Sequence, residues 1–413
     1  MDFFVITTLL IFLAAVFGYI NVKFLKMPNT IGLMLITIVF TLAIFAISLV
    51  DDTLLDAERY IITHIDFKAL LLDGMLSFML FAGALHTNFR QLHIHRGPVL
   101  AFSTLGVLVS TFLVGTVMYY VLPLFGQDVA YIYCLLFGSL ISPTDPIAVL
   151  GILKKANVPK KLEAKIVGES LFNDGVGVVI FLTIYQIADA GVDAFDIGHT
   201  TQLFATEVLG GLALGLVLGY AAYRLMKSID DYQIEIIITL AAVMGGTVIA
   251  QYLHLSAPLA MVTAGLVVGN DRVRQSAMSE LTEEYVDKFW ELVDMLLNTV
   301  LFVLIGMEIV VLTLDQRYIT AGLLAVPIVL ACRYASLLLP INFFKRKLDF
   351  VPKTNTIMTW GGLRGGISIA LALGLTSEMY RDLFLVITYI IVVFSILVQG
   401  LTVGKLVKRF SAE

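Results

Sequence analysis

S-P-T-D-P at Ser142 to Pro146, a lysine-rich turn, then G-E-S-L-F-N-D at Gly168 to Asp174 form the stretch on which the reading of this chain turns. Apolar runs flank both pieces, Tyr131 to Gly138 before and Val176 to Ile184 after. Asp145, Glu169 and Asp174 therefore fall at membrane depth. An ionised carboxylate at the centre of a spanning helix costs about 2.5–3.5 kcal/mol on insertion scales. Three of them within about thirty residues, with no obvious fold reason, mark an ion or proton pathway.

Composition sets the frame. The chain is 59% hydrophobic and 14% charged, with mean hydropathy +0.93. A soluble domain is about 25% charged, so this is a polytopic membrane protein, and no separate soluble domain is expected. The first apolar run, Phe3 to Leu25, is too long for a signal-peptide core and lacks a basic leader, so it reads as a true span. Cys134 and Cys332 sit inside apolar runs and fit packing better than a disulfide or metal site.

A spanning helix needs about 20 mostly apolar residues. That rule predicts thirteen spans: 3–25, 30–50, 66–89, 97–124, 129–152, 163–188, 202–227, 232–253, 257–271, 287–313, 318–344, 354–377 and 382–407. With the N-terminus outside and the C-terminus in the cytoplasm, twenty Lys and Arg fall in inner loops and tail, Lys165 among them. Only Arg59, Lys68, Arg317 and Arg381 fall outside, where the loops are acidic (Asp51, Asp52, Asp56, Glu58, then Asp189, Asp193, Asp196). That asymmetry follows the positive-inside rule. Lys288 can snorkel from the inner edge of the tenth span. Arg333 and Arg364 fall within spans and need an acid or backbone carbonyls as partners. Ser276 to Asp287 is polar and reads as a short interfacial helix. The tail is short, and no regulatory domain is expected beyond it.

Two spans carry breakers in the middle. In the fifth, Pro143 and Pro146 bracket Thr144-Asp145; in the twelfth stands G-G-L-R-G-G at Gly361 to Gly366. Irregular backbone at membrane depth survives only when buried in protein or lining a cavity, and paired broken helices point to a transporter's substrate site. Spans 1–6 and 8–13 then form two six-helix repeats of inverted topology, with the fifth matching the twelfth.

In the sixth span, Glu169 and Asn173 are four apart, as are Ser170 and Asp174, so all four share one broad helical face. Facing them, the unwound fifth span offers carbonyls near Thr144 and the Asp145 carboxylate. Asp145, Asp174, Ser170 and Thr144 are an oxygen set suited to a small hard cation such as Na+. No His or Cys cluster offers a transition-metal alternative. A carboxylate in such a cavity holds a cation or a proton but hardly both, and burial disfavours its bare charge, so protons compete. Asp174 is the expected exchanging group and Asp145 its partner. Glu169 reads as the ion-pair partner of Arg333, with Asn173 hydrogen-bonding across. Arg364 either cancels helix-end dipoles in the break or restrains Asp145. Asp73 is expected in an outer vestibule and Glu308 near the outer surface, while Asp294 and Asn298 are candidates for the wall of an inner funnel. His86, His93 and His95 cluster at an inner loop and read as solvated. No phosphate loop, zinc motif or nucleophile elbow is present.

These residues resemble the signature of the cation:proton antiporter-1 family, the NhaP-type prokaryotic sodium/proton antiporters and animal NHE exchangers. The likeness rests on T-D-P at Thr144 to Pro146 and G-E-S-L-F-N-D-G at Gly168 to Gly175. It continues in Pro258 to Asn270, Leu297 to Glu308 and W-G-G-L-R-G-G-I-S-I-A-L at Trp360 to Leu371. The resemblance implies an NhaA-like antiporter fold and a homodimer. It implies a core transport bundle, here spans 4–6 and 11–13, which moves like an elevator against a dimerisation bundle made of the rest. Asp174 matches the family's essential ion- and proton-binding aspartate, Asp145, Thr144 and Ser170 its ion site, and Glu169, Asn173 and Arg333 its buried ion-pair cluster. Asn at 173, where electrogenic relatives look like Asp-Asp, implies exchange of one cation for one proton. The expected cargo is Na+ or Li+, with K+ as the alternative. A prokaryotic inner membrane is the expected location. No cofactor or nucleic-acid partner is expected. A cation channel would need repeated filter segments, and this chain has one acidic break; an intramembrane enzyme would need a nucleophile or a second catalytic aspartate, and position 173 is Asn.

Overall fold

The computed structural model describes residues 3–87, 89–94, 96–145, 160–191, 196–313, 315–344 and 353–411. The end of the expected fifth span, residues 146–152 with Pro146 included, lies outside them, as do His95 and the side chains of Asp73 and His93. All secondary structure among the described residues is helical. That is what a bilayer demands of a chain without a closed barrel, since a helix satisfies its backbone groups internally.

The helices run α1 Phe3–Ile20, α2 Asn29–Ser48, α3 Thr53–His64, α4 Leu76–Leu85, α5 Phe89–Ile94, α6 Arg96–Ala101, α7 Val107–Val121, α8 Tyr131–Ile141 and α9 Lys160–Ala190. There follow α10 Ile197–Met226, α11 Tyr232–Tyr252, α12 Ala257–Val268, α13 Asp271–Ala277, α14 Glu280–Met307, α15 Gln316–Phe344, α16 Thr354–Gly361, α17 Gly366–Leu373, α18 Arg381–Phe394 and α19 Gly400–Ser411. Among the described residues nine helical segments are long and apolar enough to cross a membrane, and Ala69–Leu85, Tyr131–Ile141 and Ala257–Val268 are shorter apolar helices. The chain is thus an all-helical, integral membrane protein. Loops supply the caps: Asp231 accepts from the N–H groups of Gln233 and Ile234 at the start of α11, and Ser279 from Thr282 at the start of α14.

Small residues set how closely the helices approach. Gly211 and Gly215 lay α10 onto α12, so that a Cβ on Gly215 would stand 2.3 Å from the carbonyl oxygen of Ala260. Such four-residue spacing of small side chains is how membrane helices gain contact without a hydrophobic drive. One apolar core joins α1, α2, α7, α8, α14, α15, α17 and α18, with Leu363 of the broken segment inside it. A second gathers α4, α10, α11 and α12 around Trp290, whose indole N–H donates to Thr239 Oγ1 at 3.0 Å.

Three expectations change. The acidic stretch after α2 forms α3, and Glu58 is only 3% exposed, accepting from Thr41 Oγ1 at 2.6 Å. The polar stretch Ser276 to Asp287 is no separate helix: α13 ends at Ala277 and the acids open α14, where negative charge suits a helix N-terminus. Lys165 is no loop residue; it lies on α9 and is 1% exposed.

Candidate functional site

Two breaks in the helical order meet at the centre of the molecule. α8 ends at Ile141, and residues 143–145 carry no helix. Pro143 lacks an N–H and biases the residue before it away from helix. The second break, 362–365, separates α16 from α17. The two are joined by main chain: the Asp145 N–H donates to the Leu363 carbonyl at 2.8 Å.

Arg364 ties the joint further. Its Nη1 donates to the carbonyl oxygens of Ser142 at 2.5 Å and Pro143 at 2.7 Å. Both carbonyls lie just past the end of α8, and a cation there answers the helix dipole. Its own N–H donates to Ser395 Oγ at 2.8 Å, presented by a wide π-type turn, Ser395–Gln399, that interrupts the last span. Arg364 is buried, so these contacts are made away from water.

α9 supplies the facing wall. Glu169, Ser170, Asn173 and Asp174 are all buried there, as the four-residue spacing requires. Thr144 Oγ1 lies 2.9 Å from Ser170 Oγ and accepts from Asn173 Nδ2 at 2.8 Å, while the Thr144 N–H donates to Asn173 Oδ1 at 3.2 Å. Asn173 therefore clamps the unwound strand through both ends of its amide. The expected hydrogen bond from Asn173 across the neighbouring ion pair is not among the described contacts. That pair is present: Arg333 Nη2 binds Glu169 Oε1, with both side chains buried.

Asp174 differs from its neighbours. It is 3% exposed, yet no hydrogen bond reaches its carboxylate among the described residues. It stands in the field of Asp145, which repels it, and of Arg364, which attracts it. Asp145 is 8% exposed and packs its carboxylate onto the α-carbon of Gly365. The fold thus brings together all eight residues expected at the site: Thr144, Asp145, Glu169, Ser170, Asn173, Asp174, Arg333 and Arg364. Hard oxygens converge with one carboxylate that meets no protein donor among the described residues, a set fitted to a monovalent cation or a proton.

Of the lesser candidates, Glu308 directly follows α14 with its side chain buried, and Asp294 is half-buried within electrostatic reach of Asp145. His86 is exposed and contacts the Ala82 carbonyl and Asp287. Leu363 and Gly365 enter the sequence reading only as parts of the break, and Ser395 escapes it. Their contribution is a carbonyl, a missing Cβ and a hydroxyl on a bulged turn, none of which spacing alone displays.

Comparison with known proteins gives a consistent outcome. The family described as "Sodium/hydrogen exchanger, transmembrane" matches residues 11–409. The chain is 47% identical over 405 residues to the Na(+)/H(+) antiporter NhaP of Pseudomonas aeruginosa, covering 97% of this chain and 95% of that one. It is 34% identical to the Na(+)/H(+) antiporter NhaH of Halobacillus dabanensis, over 94% and 93% of the two chains. Among solved structures, the sodium proton antiporter MjNhaP1 from Methanocaldococcus jannaschii at pH 8 superposes with a TM-score of 0.77, covering 100% of both chains at 19% identity. At that identity the superposition speaks for the fold alone.

Proposed function

The chain belongs to the sodium/hydrogen exchanger family, and from that premise we propose that it is a secondary antiporter exchanging Na+ (or Li+) for H+. One observation carries the reading at the level of this chain. Asp174 is a buried carboxylate with no protein donor among the described residues, set beside the joint between the non-helical stretches 143–145 and 362–365. Such a group is stable only when it holds a proton or a cation, and alternation between the two is coupled exchange.

In this reading Asp174 is the exchanging group and Asp145 the second carboxylate, with Ser170 and Thr144 supplying neutral oxygens to Na+. Glu169 and Arg333 hold the bundle together, and Asn173 fixes Thr144 beside the ion. The Asn173-Asp174 pair resembles the branch of the family that lacks Asp-Asp at this place, and on that resemblance the exchange is electroneutral, one cation for one proton. The thirteen-span, inverted-repeat arrangement belongs to the same proposal. So does the division into a moving core (spans 4–6 and 11–13) and a dimerisation bundle in a homodimer, with elevator-type alternating access. Basic loops in the cytoplasm and the N-terminus outside give the orientation, and the plasma membrane of a prokaryote is the proposed location. K+ for H+ exchange on the same site is the second reading. The oxygen set serves either ion, and cavity dimensions decide between them.

The test is exchange in reconstituted vesicles. With the purified protein in liposomes and a pH-sensitive dye, pulses of Na+, Li+ or K+ should each report cation-driven proton movement in proportion to selectivity. Absence of coupled movement with all three ions overturns the antiporter reading.

A further inference from the structure

The helix α14 carries polar residues on a face that runs toward the site. Glu291, Asp294 and Asn298 follow at intervals of three and four, which sets them along one helical stripe. Leu301, next on that stripe, abuts Gly366, where a Cβ would stand 2.7 Å from its Cδ1. Gly366 adjoins Gly365, on which the Asp145 carboxylate rests. Exposure falls along the way: Glu291 is exposed, Asp294 half-buried and Asn298 5% exposed. Asp294 interacts electrostatically with Asp145 ahead of it and Glu291 behind it.

Asn298 supplies the second observation. Its Nδ2 donates to the carbonyl oxygen of Asp294 at 2.7 Å and to Asp294 Oδ1 at 3.0 Å. Both neighbours are acceptors, so the amide nitrogen must face them and the orientation of the amide is fixed. Asn298 Oδ1 is thereby left as a buried acceptor with no donor among the described residues. A buried acceptor beside a carboxylate is unfavourable unless something positive shares the space.

We propose that Asp294 and Asn298 form a second cation subsite, where a monovalent cation arriving from the basic face pauses, partly dehydrated, before it reaches Asp145 and Asp174. The subsite rests on the antiporter reading above and adds a step to it. A carboxylate and an amide oxygen are hard ligands, and the half-exposure of Asp294 leaves room for the cation to keep water. Glu291 draws cations to the mouth of the stripe. The subsite concentrates the ion next to the exchange site, so it governs capture more than turnover.

The experiment measures initial exchange rates against Na+ at the basic face of oriented proteoliposomes. Asp294→Asn should raise KM for Na+ about tenfold and keep the maximal rate within about twofold. It should also weaken the loss of rate with ionic strength that a captured charge produces. Asp294→Glu should restore KM. Asn298→Leu, which removes the orphan acceptor at similar volume, should raise KM with a melting temperature equal to or above the parent. Unchanged KM and salt dependence in a folded Asp294→Asn protein, or unchanged KM in Asn298→Leu, overturns the subsite. Binding of radioactive sodium to Asp174→Ala protein separates the two layers of the argument. Weak binding that disappears on adding Asp294→Asn supports the subsite whether or not the parent exchanges ions, and its persistence in that double variant overturns it.

Discussion

The carboxylate of Asp145 rests on the bare α-carbon of Gly365: a Cβ built there would stand 2.1 Å from Oδ2 and 2.7 Å from the carboxyl carbon. No rearrangement of a flexible side-chain end relieves that overlap, because Asp145 is also held by its own N–H to Leu363. Gly365→Ala should therefore move the carboxylate off its position. Misplacing a working group by about 1 Å can lower a rate about 100-fold. Exchange in proteoliposomes should fall on that scale while the protein still extracts and melts as a folded species. Parent-like exchange by Gly365→Ala would remove Asp145 from the working site.

Asp174 offers the opposite balance. Its charge is buried beside Asp145 and meets no donor among the described residues, so it costs stability wherever it is ionised. Asp174→Asn should abolish cation-driven proton movement and leave the melting temperature in detergent equal or higher. A variant that unfolds instead would make Asp174 a structural residue.

The Glu169–Arg333 pair should behave as a fastener. Removing one partner of a buried ion pair costs about 3–5 kcal/mol, whereas replacing both by apolar groups of similar volume is often neutral. Glu169→Gln alone should lower the melting temperature and yield, and Glu169→Leu with Arg333→Met should recover much of both. A Glu169→Gln protein of parent stability that has lost Na+ affinity would place Glu169 on the ion.

Asn173 holds Thr144 by two hydrogen bonds. Asn173→Ala leaves the Thr144 N–H without its partner, at about 1–3 kcal/mol for a buried donor. Both thermal stability and apparent Na+ affinity should drop together. Stability lost without any change in affinity would disconnect the clamp from the ion.

If one carboxylate cycles per turnover, voltage has nothing to act on across a full cycle. An imposed potassium diffusion potential should leave the equilibrium distribution of Na+ and H+ unchanged. A shift of that equilibrium with voltage would show that more than one charge moves per exchange.

Much of this site could be read from the sequence because membrane chemistry is unforgiving. Asp174, Asp145, Arg333 and Arg364 are conspicuous for their cost at depth, and the four-residue spacing from Glu169 to Asn173 and from Ser170 to Asp174 fixes their common face without any structure. What spacing could not settle was who bonds whom. Asn173 lies as near in sequence to the ion pair as to the ion site, and only the three-dimensional path of residues 143–145 places it on Thr144. Glu58 and Lys165 were misread for a related reason. Both lie at segment ends, where hydropathy cannot tell a solvated charge from one folded back under a neighbouring helix. The helix α3 was missed because its acids resemble a loop until its apolar face finds α2.

The joint between Asp145 and Leu363 is made of main chain alone. Such a bond does not depend on the side chain at 145, so the carboxylate there can be replaced without removing the link between the two breaks. The hydroxyl of Thr144, by contrast, takes part in holding the segment, through Asn173. In the proposed exchanger the link between the two breaks and the carboxylate beside it are thus carried on separate atoms of one residue, so a change of charge at 145 leaves the frame's main-chain bond in place.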